Sequence, residues 1–279
     1  MRSALASLGA LLMVACSAPV ARGAPPDLRP IFFMFSTSRF ADTGERGAVA
    51  ASLRKYVTSR DYLSAAVARE FPDLGQRVGR GHRYVLPTSL SGVERESAKG
   101  CGPDTAGLVI YDGEHWAETP ADEQAQMSTS IARGRVIVGA TSCHDYGIAP
   151  DGQFIGISPS NCSYDLSAAI HQQLDWSGIA LFNIQAQILL SDRCGPGVDD
   201  YVAFVAAVTA AVRTASHPPA IAAQLSFRYT PPERMIAAIT RLRDIVNGFY
   251  IAYPSYVGQT CTYCSAGNLE QVLGAIRSR

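Results

Sequence analysis

Short, nearly continuous apolar runs alternate along the chain with longer stretches in which apolar positions recur every three or four residues. IFFMFS (31–36), GLVIYD (107–112), RVIVGA (135–140), GIALFNIQAQ (178–187), AIAAQLSF (220–227) and GFYIAY (248–253) are runs of the first kind, with a shorter one at Tyr84–Leu86 before Pro87. Runs of this length that are apolar at every position, rather than at every second one, predict parallel strands covered on both faces. Helical spacing falls between them, at 47–56, 61–71, 119–133, 163–175, 198–215, 231–246 and 269–277. Thr119, Pro120, Asp122 and Glu123 make an N-terminal signature for one of these helices, Pro231 opens another, and Asn268 is the expected cap of the last. Strand and helix taking turns predict an α/β protein, a TIM-like (β/α) barrel of parallel strands with an irregular N-terminal part. Seven strands are one short of a clean eight, and residues 57–82 are where the missing one would hide. A doubly wound sheet lacks support, because no Gly-x-Gly-x-x-Gly or Walker loop follows any strand.

The first thirty residues stand apart from this pattern. Residues 1–23 have the layout of an export signal: Arg2, then a small and apolar run from Ala4 to Ala15, too short to cross a bilayer. Two cleavage readings fit. Met13-Val14-Ala15-Cys16 resembles a lipobox, with Cys16 as the lipidated first residue, and Ala21-Arg22-Gly23 fits ordinary secretion. Residues 24–30 (APPDLRP) form a Pro-rich tether, and 31–279 are read as a single barrel domain, monomeric and either extracellular or held at the cell envelope. In both readings Cys16 leaves the folding domain. Cys101, Cys143, Cys162, Cys194, Cys261 and Cys264 remain, an even number that suits disulfides in an oxidising space. The spacing favours only the local Cys261–Cys264 pair, read as a small staple in a loop; the pairing of the other four stays open.

Composition narrows the ligand. Lys+Arg and Asp+Glu are 24 each, so the formal charge is zero. That excludes the basic balance of a general nucleic-acid binder and any polybasic attraction to anionic lipid. The membrane enters only through a lipid at Cys16. A neutral polysaccharide is the more natural partner of such a chain.

In a barrel the chemistry sits at the C-terminal ends of the strands. There GLVI is followed by Tyr111-Asp112-Gly113-Glu114-His115-Trp116, RVIVGA by Ser142-Cys143-His144-Asp145, GIALF by Asn183, Gln185 and Gln187, and AIAAQ by Ser226 and Arg228; GFYIAY carries Tyr250 and Tyr253. Asp112 and Glu114 share a face if the strand continues, and two carboxylates at one mouth push their pKa values apart, which makes an acid and a base. Glu114 is the candidate general acid, Asp112 the second carboxylate and Asp145 its alternative. Trp116, Tyr250 and Tyr253 offer rings for stacking on sugars, while His144, Gln185, Gln187 and Arg228 offer polar contacts. Each has a plainer role: a strand-end cap, a loop histidine, an amide that satisfies backbone, an aromatic in the core. His82, His171 and His217 have no partner pattern and are expected at the surface.

GLVIYDGEHWAETPADEQ (107–124), FNIQAQ (182–187), VDDYVAFVAAV (198–208), NGFYIAYPS (247–255) and the terminal CTYC (261–264) together resemble a group of exported actinobacterial proteins of barrel type. The resemblance spans roughly 105–279, with Gly113 and His115 where Pro and Gly stand in the pattern. It implies a barrel and export and brings no assigned activity. Asp112-Gly113-Glu114 is also similar to the Asp-x-Glu ending of the catalytic strand in chitinase-like glycoside hydrolases, which implies a general-acid role for Glu114 and a substrate-orienting role for Asp112. Leu108 and Ile110 stand near where that family has further aspartates.

The expected function is therefore an exported glycoside-hydrolase-like barrel acting on an extracellular or cell-wall polysaccharide, with no cofactor. A non-catalytic carbohydrate-binding envelope protein is the alternative. A metal-dependent hydrolase using Asp112, His115, His144 and Asp145 is third; no HExxH-like spacing backs it, and no metal site is assigned.

Overall fold

A computed structural model describes residues 31–35, 45–79, 82–85, 108–111, 136–140, 176, 179–192, 195, 197–253 and 261–278. In chain order these form β1 (Ile31–Phe35), α1 (Arg46–Tyr56), β2 (Tyr62–Ser64), α2 (Ala65–Glu70), α3 (Pro72–Val78), β3 (Arg83–Val85), β4 (Leu108–Tyr111) and β5 (Val136–Ala140). They continue with β6 (Ile179–Ile184), a 3-10 turn (Gln187–Leu190), α4 (Val198–Val212), β7 (Ala220–Ser226), α5 (Pro232–Leu242), β8 (Gly248–Tyr253) and α6 (Ala266–Arg277). Each strand pairs in parallel with the next, and β8 returns to pair with β1, so the strand order closes on itself. The segments expected to be a signal (1–23) and a tether (24–30) and the helices expected at 119–133 and 163–175 lie outside the described residues.

β2 is the eighth strand, and it lies inside the 57–82 stretch. The helix expected over 61–71 is a correction: the first three of its residues after Asp61 are strand, and the helix starts only at Ala65. Ser64 does both jobs. It ends β2, and its Oγ accepts from the Val67 N–H at 3.3 Å as the N-cap of α2. A Ser ahead of Ala-Ala-Val satisfies one of the orphan donors of a new helix, so strand passes to helix with no loop between.

Register separates two faces of the ring. Across β7 and β8, Ala222, Gln224 and Ser226 oppose Gly248, Tyr250 and Ala252; across β6 and β7, Asn183 opposes Ala222. Tyr84, Leu181, Ala222 and Tyr250 come from β3, β6, β7 and β8 and still pack into one small cluster, which places them in the lumen. The alternate residues Phe182, Ile184, Ile221, Ala223, Leu225, Phe249 and Ile251 face outward and join the main core beneath the helices. Burial on both faces is the physical reason that these strands read as unbroken apolar runs.

The helices supply the other half of that core. α5 buries Met235, Ala238, Ile239 and Leu242, the i, i+3, i+4, i+7 stripe of an amphipathic helix. α4 buries Tyr201, Val202, Phe204, Val205, Val208, Thr209 and Val212, and holds Asp199 and Asp200 in its first turn, where the helix dipole favours negative charge. The cap of α6 is Ser265, whose Oγ accepts from the Asn268 N–H at 3.1 Å. The expectation that Asn268 caps it is thus corrected: Asn268 sits inside the first turn, and its Nδ2 donates back to the Tyr263 carbonyl at 2.9 Å. Among the described residues no helix is long and apolar enough to cross a membrane.

Candidate active site

The lumen is apolar at the level of Tyr84, Leu181, Ala222 and Tyr250, with Tyr62 and Ala220 packed against it. Burial pushes the Tyr84 phenol well above its ordinary pKa, against a smaller opposing effect of the neighbouring Tyr250. Burial likewise raises Tyr62, helped by the charge of Asp61. These phenols stay neutral through the physiological range and act as hydrogen-bonding groups rather than as bases.

Polar side chains also enter this lumen. Asn183 of β6 donates through Nδ2 to Gln224 Oε1 of β7 at 2.7 Å, and both residues are 2% exposed. Two amides removed from water need partners, since each unmade hydrogen bond there costs about 1–3 kcal/mol. The pair satisfies one donor and one acceptor and leaves Asn183 Oδ1 buried with no partner. Gln224 is fixed from behind as well. Tyr201, fully buried on α4, donates its hydroxyl to the Gln224 carbonyl at 2.6 Å. We expect Tyr201→Phe to lower stability by about 1–3 kcal/mol, because a buried carbonyl loses its donor with no change of shape; a urea unfolding midpoint measures it.

Beyond the strand ends, three neighbouring segments are bonded together. After β6, Gln185 is buried, and Gln187, with its Oε1 buried and unpartnered, opens the 3-10 turn. After β7, the Tyr229 carbonyl accepts at 2.9 Å from the N–H of Asp192, which lies in the segment after β6. After β8, the Thr262 N–H donates to the Arg228 carbonyl at 3.1 Å, the Tyr263 N–H to the Phe227 carbonyl at 3.3 Å, and the Tyr263 hydroxyl to the Asp192 carboxylate. Arg228 stands in the middle of this mesh. Its N–H donates to Ser226 Oγ at 3.3 Å, and its guanidinium lies 5.0 Å from the Tyr229 ring centroid.

Cys261 and Cys264 are joined, with Cα atoms 5.4 Å apart. The staple lies in the loop that leads into α6: Ser265, the cap of that helix, follows Cys264 directly. The staple closes a very short loop, and the backbone bonds to Phe227 and Arg228 hold its turn independently. Replacing both cysteines with serine is therefore expected to cost only about 2 kcal/mol, less than a long-loop disulfide, read as a shift in the urea midpoint.

The other site candidates divide as follows. Tyr250 lies in the lumen and is buried. Tyr253, three residues on, points the other way: it is 3% exposed and packs on Phe227 with centroids 5.4 Å apart, in the outer core. An odd offset along a strand reverses the face, so Tyr253 offers no ring to a sugar in the lumen. The alternation of Asn183, Gln185 and Gln187 is also cut short, because β6 ends at Ile184 and Gln187 belongs to the 3-10 turn. His82, expected at the surface, is half-buried; it stacks on Tyr62 at 4.4 Å, with Nδ1 3.1 Å from the Asp61 carbonyl. His217 is exposed. Asp112, Glu114, His115, Trp116, His144, Asp145, His171, Cys101, Cys143, Cys162 and Cys194 lie outside the described residues. Gln224 and Tyr84 were not singled out from the sequence. Gln224 interrupts an apolar run, and that interruption was the available signal. Among the described residues no group of His, Cys, Asp and Glu could hold a metal ion.

No protein-family model matches the chain, and no curated protein matches it. Among solved structures, a citrate lyase from Burkholderia xenovorans LB400 aligns at a TM-score of 0.43 with 10% identity, over 90% of this chain and 77% of that one. A likeness of that size carries no conclusion about activity.

Proposed function

We propose that the chain is an exported (β/α) barrel of the TIM type that binds and hydrolyses an extracellular or cell-wall polysaccharide. The observation that carries this reading is the amide set of β6 and β7. Asn183 and Gln224 meet in the lumen with one acceptor left open, and Gln185 and Gln187 follow at the strand end where barrel enzymes hold their ligands. Amides with spare acceptors match sugar hydroxyls, and a largely apolar wall with a few fixed polar groups is the usual make-up of a ligand site. Glu114 is the proposed general acid, with Asp112 or Asp145 as the second carboxylate.

A non-catalytic sugar binder is the second reading. It is favoured by the amides Asn183, Gln187 and Gln224 and the Arg228 guanidinium, groups that hold a ligand without reacting. A screen of the secreted protein against cell-wall glycans and common polysaccharides tests the proposal by the release of new reducing ends. Binding without any release overturns the hydrolase and leaves the binder; neither binding nor release overturns both.

A further inference from the structure

Five arginines among the described residues are half-buried: Arg83, Arg228, Arg234, Arg243 and Arg277. Four of them place an N–H on an oxygen of the protein. Arg83 reaches the Gly75 carbonyl at 2.9 Å, Arg234 the Ser191 carbonyl at 2.8 Å, Arg243 the Ser278 carbonyl at 3.4 Å, and Arg277 the Asp61 carboxylate at 2.5 Å. Arg228 differs. Its Nε, like those of Arg83 and Arg243, is buried without an acceptor, but no other N–H of its guanidinium bonds to a described residue and no ion pair with one holds it; the guanidinium lies over the Tyr229 ring. A guanidinium partly withdrawn from water has a strong demand for acceptors, and its planar fork matches carboxylate or phosphate oxygens in a bidentate way.

Its surroundings restrict the anion further. On neighbouring β6 and the 3-10 turn that follows it, Asn183 Oδ1 and Gln187 Oε1 are buried acceptors without donors. Asn183 is bonded across to Gln224 of β7, the strand that leads through Ser226 to Arg228. Among the described residues the Arg228 guanidinium thus has no anion, and the Asn183 and Gln187 acceptors have no donor.

We infer that the ligand of this mouth is an anionic sugar, a hydroxyl-rich molecule whose carboxylate or phosphate pairs with Arg228 while its hydroxyls donate to Asn183 and Gln187. This rests on the carbohydrate reading above and changes it in one respect. The zero net charge of the chain points to a neutral glycan, whereas the Arg228 guanidinium, unmatched among the described residues, selects an acidic one. Zero net charge removes long-range steering, not local pairing.

Ligand-observed NMR titration of the full secreted chain with glucuronate, with glucose and with inorganic phosphate tests the inference. Glucuronate should bind about tenfold or more tightly than glucose, the size of one charge-assisted pair. Arg228→Gln should bring that ratio to near one while glucose binding persists, and Arg228→Lys should restore part of the preference. A thermal melt of both variants confirms that they fold. Equal binding of the two sugars, unmoved by Arg228→Gln, overturns the inference and leaves the carbohydrate reading standing. Phosphate bound through Arg228 with neither sugar bound overturns both, as does the absence of all binding.

Discussion

Arg277→Ala is expected to lower the stability of the barrel by about 3–5 kcal/mol, the cost of leaving a buried charge without its partner. Asp61 is 0% exposed, and its carboxylate accepts from the Thr58 N–H at 2.6 Å, the Thr58 hydroxyl at 3.0 Å and Arg277 Nη2 at 2.5 Å. Arg277, with its side chain 12% exposed, also donates through Nε to the Tyr56 carbonyl at 3.3 Å. The pair thereby fastens the last residue of α6 to the turn between α1 and β2. A barrel closes where its first and last units meet, so this contact acts on closure itself. Removing the guanidinium leaves a desolvated carboxylate without its ion-pair partner. Arg277→Lys keeps the charge, loses the second anchor on Tyr56 and should cost less. Lys55→Ala is the control. Its bridge to Glu270 joins the same two helices but stands in water, where ion pairs contribute little. The measurement is the urea midpoint at constant slope. An Arg277→Ala shift no larger than that of the control would show that the buried pair does not hold the barrel closed.

Parts of this structure were legible in the sequence, and the legible parts share a cause. Strands buried on both faces cannot hide their apolar character, so six long runs stand out, and α5 declares itself by the stripe from Met235 to Leu242. β2 escaped because three residues are too few to set a period and the following Ala-Ala-Val continues as helix. The face of Tyr253 was missed because naming a strand end is not the same as counting its parity. The Asn183–Gln224 pair is 41 residues apart and Asp61–Arg277 is 216 apart. Contacts of that kind depend on register and closure, which no local pattern encodes. The Cys261–Cys264 pair was readable for the opposite reason, since its geometry is local. What the sequence did offer at a distance was anomaly: a glutamine inside AIAAQLS, a strand otherwise suited to full burial, marks the lumen amide. Such an interruption costs stability unless it is bonded or serves a ligand.

The hydrolase reading makes its strongest demand at Glu114. Glu114→Gln should lower turnover by about 10²–10⁴-fold, the contribution typical of a positioned general acid, with much less change in oligosaccharide affinity, because an amide N–H still donates to the glycosidic oxygen as the protonated carboxyl does. The loss has a signature that a structural role would not share. A glycoside whose leaving group is already a weak base, such as a nitrophenolate, departs without being protonated. Its bond cleavage should therefore survive Glu114→Gln far better than that of a natural polysaccharide. Asp112→Asn and Asp145→Asn then identify the second carboxylate: whichever stabilises or attacks the sugar cation is needed by activated and natural substrates alike. Retaining enzymes place the two carboxyl groups about 5–5.5 Å apart and inverting ones about 6.5–9.5 Å, so the stereochemistry of the first product reports the spacing of the pair. Gln185→Ala should behave differently again, raising KM more than it lowers kcat, since it removes a contact made equally in ground and transition states. A Glu114→Gln protein that hydrolyses polysaccharide at the parent rate would remove Glu114 from the mechanism; equal losses on activated and natural substrates would assign it to the architecture of the mouth rather than to proton transfer.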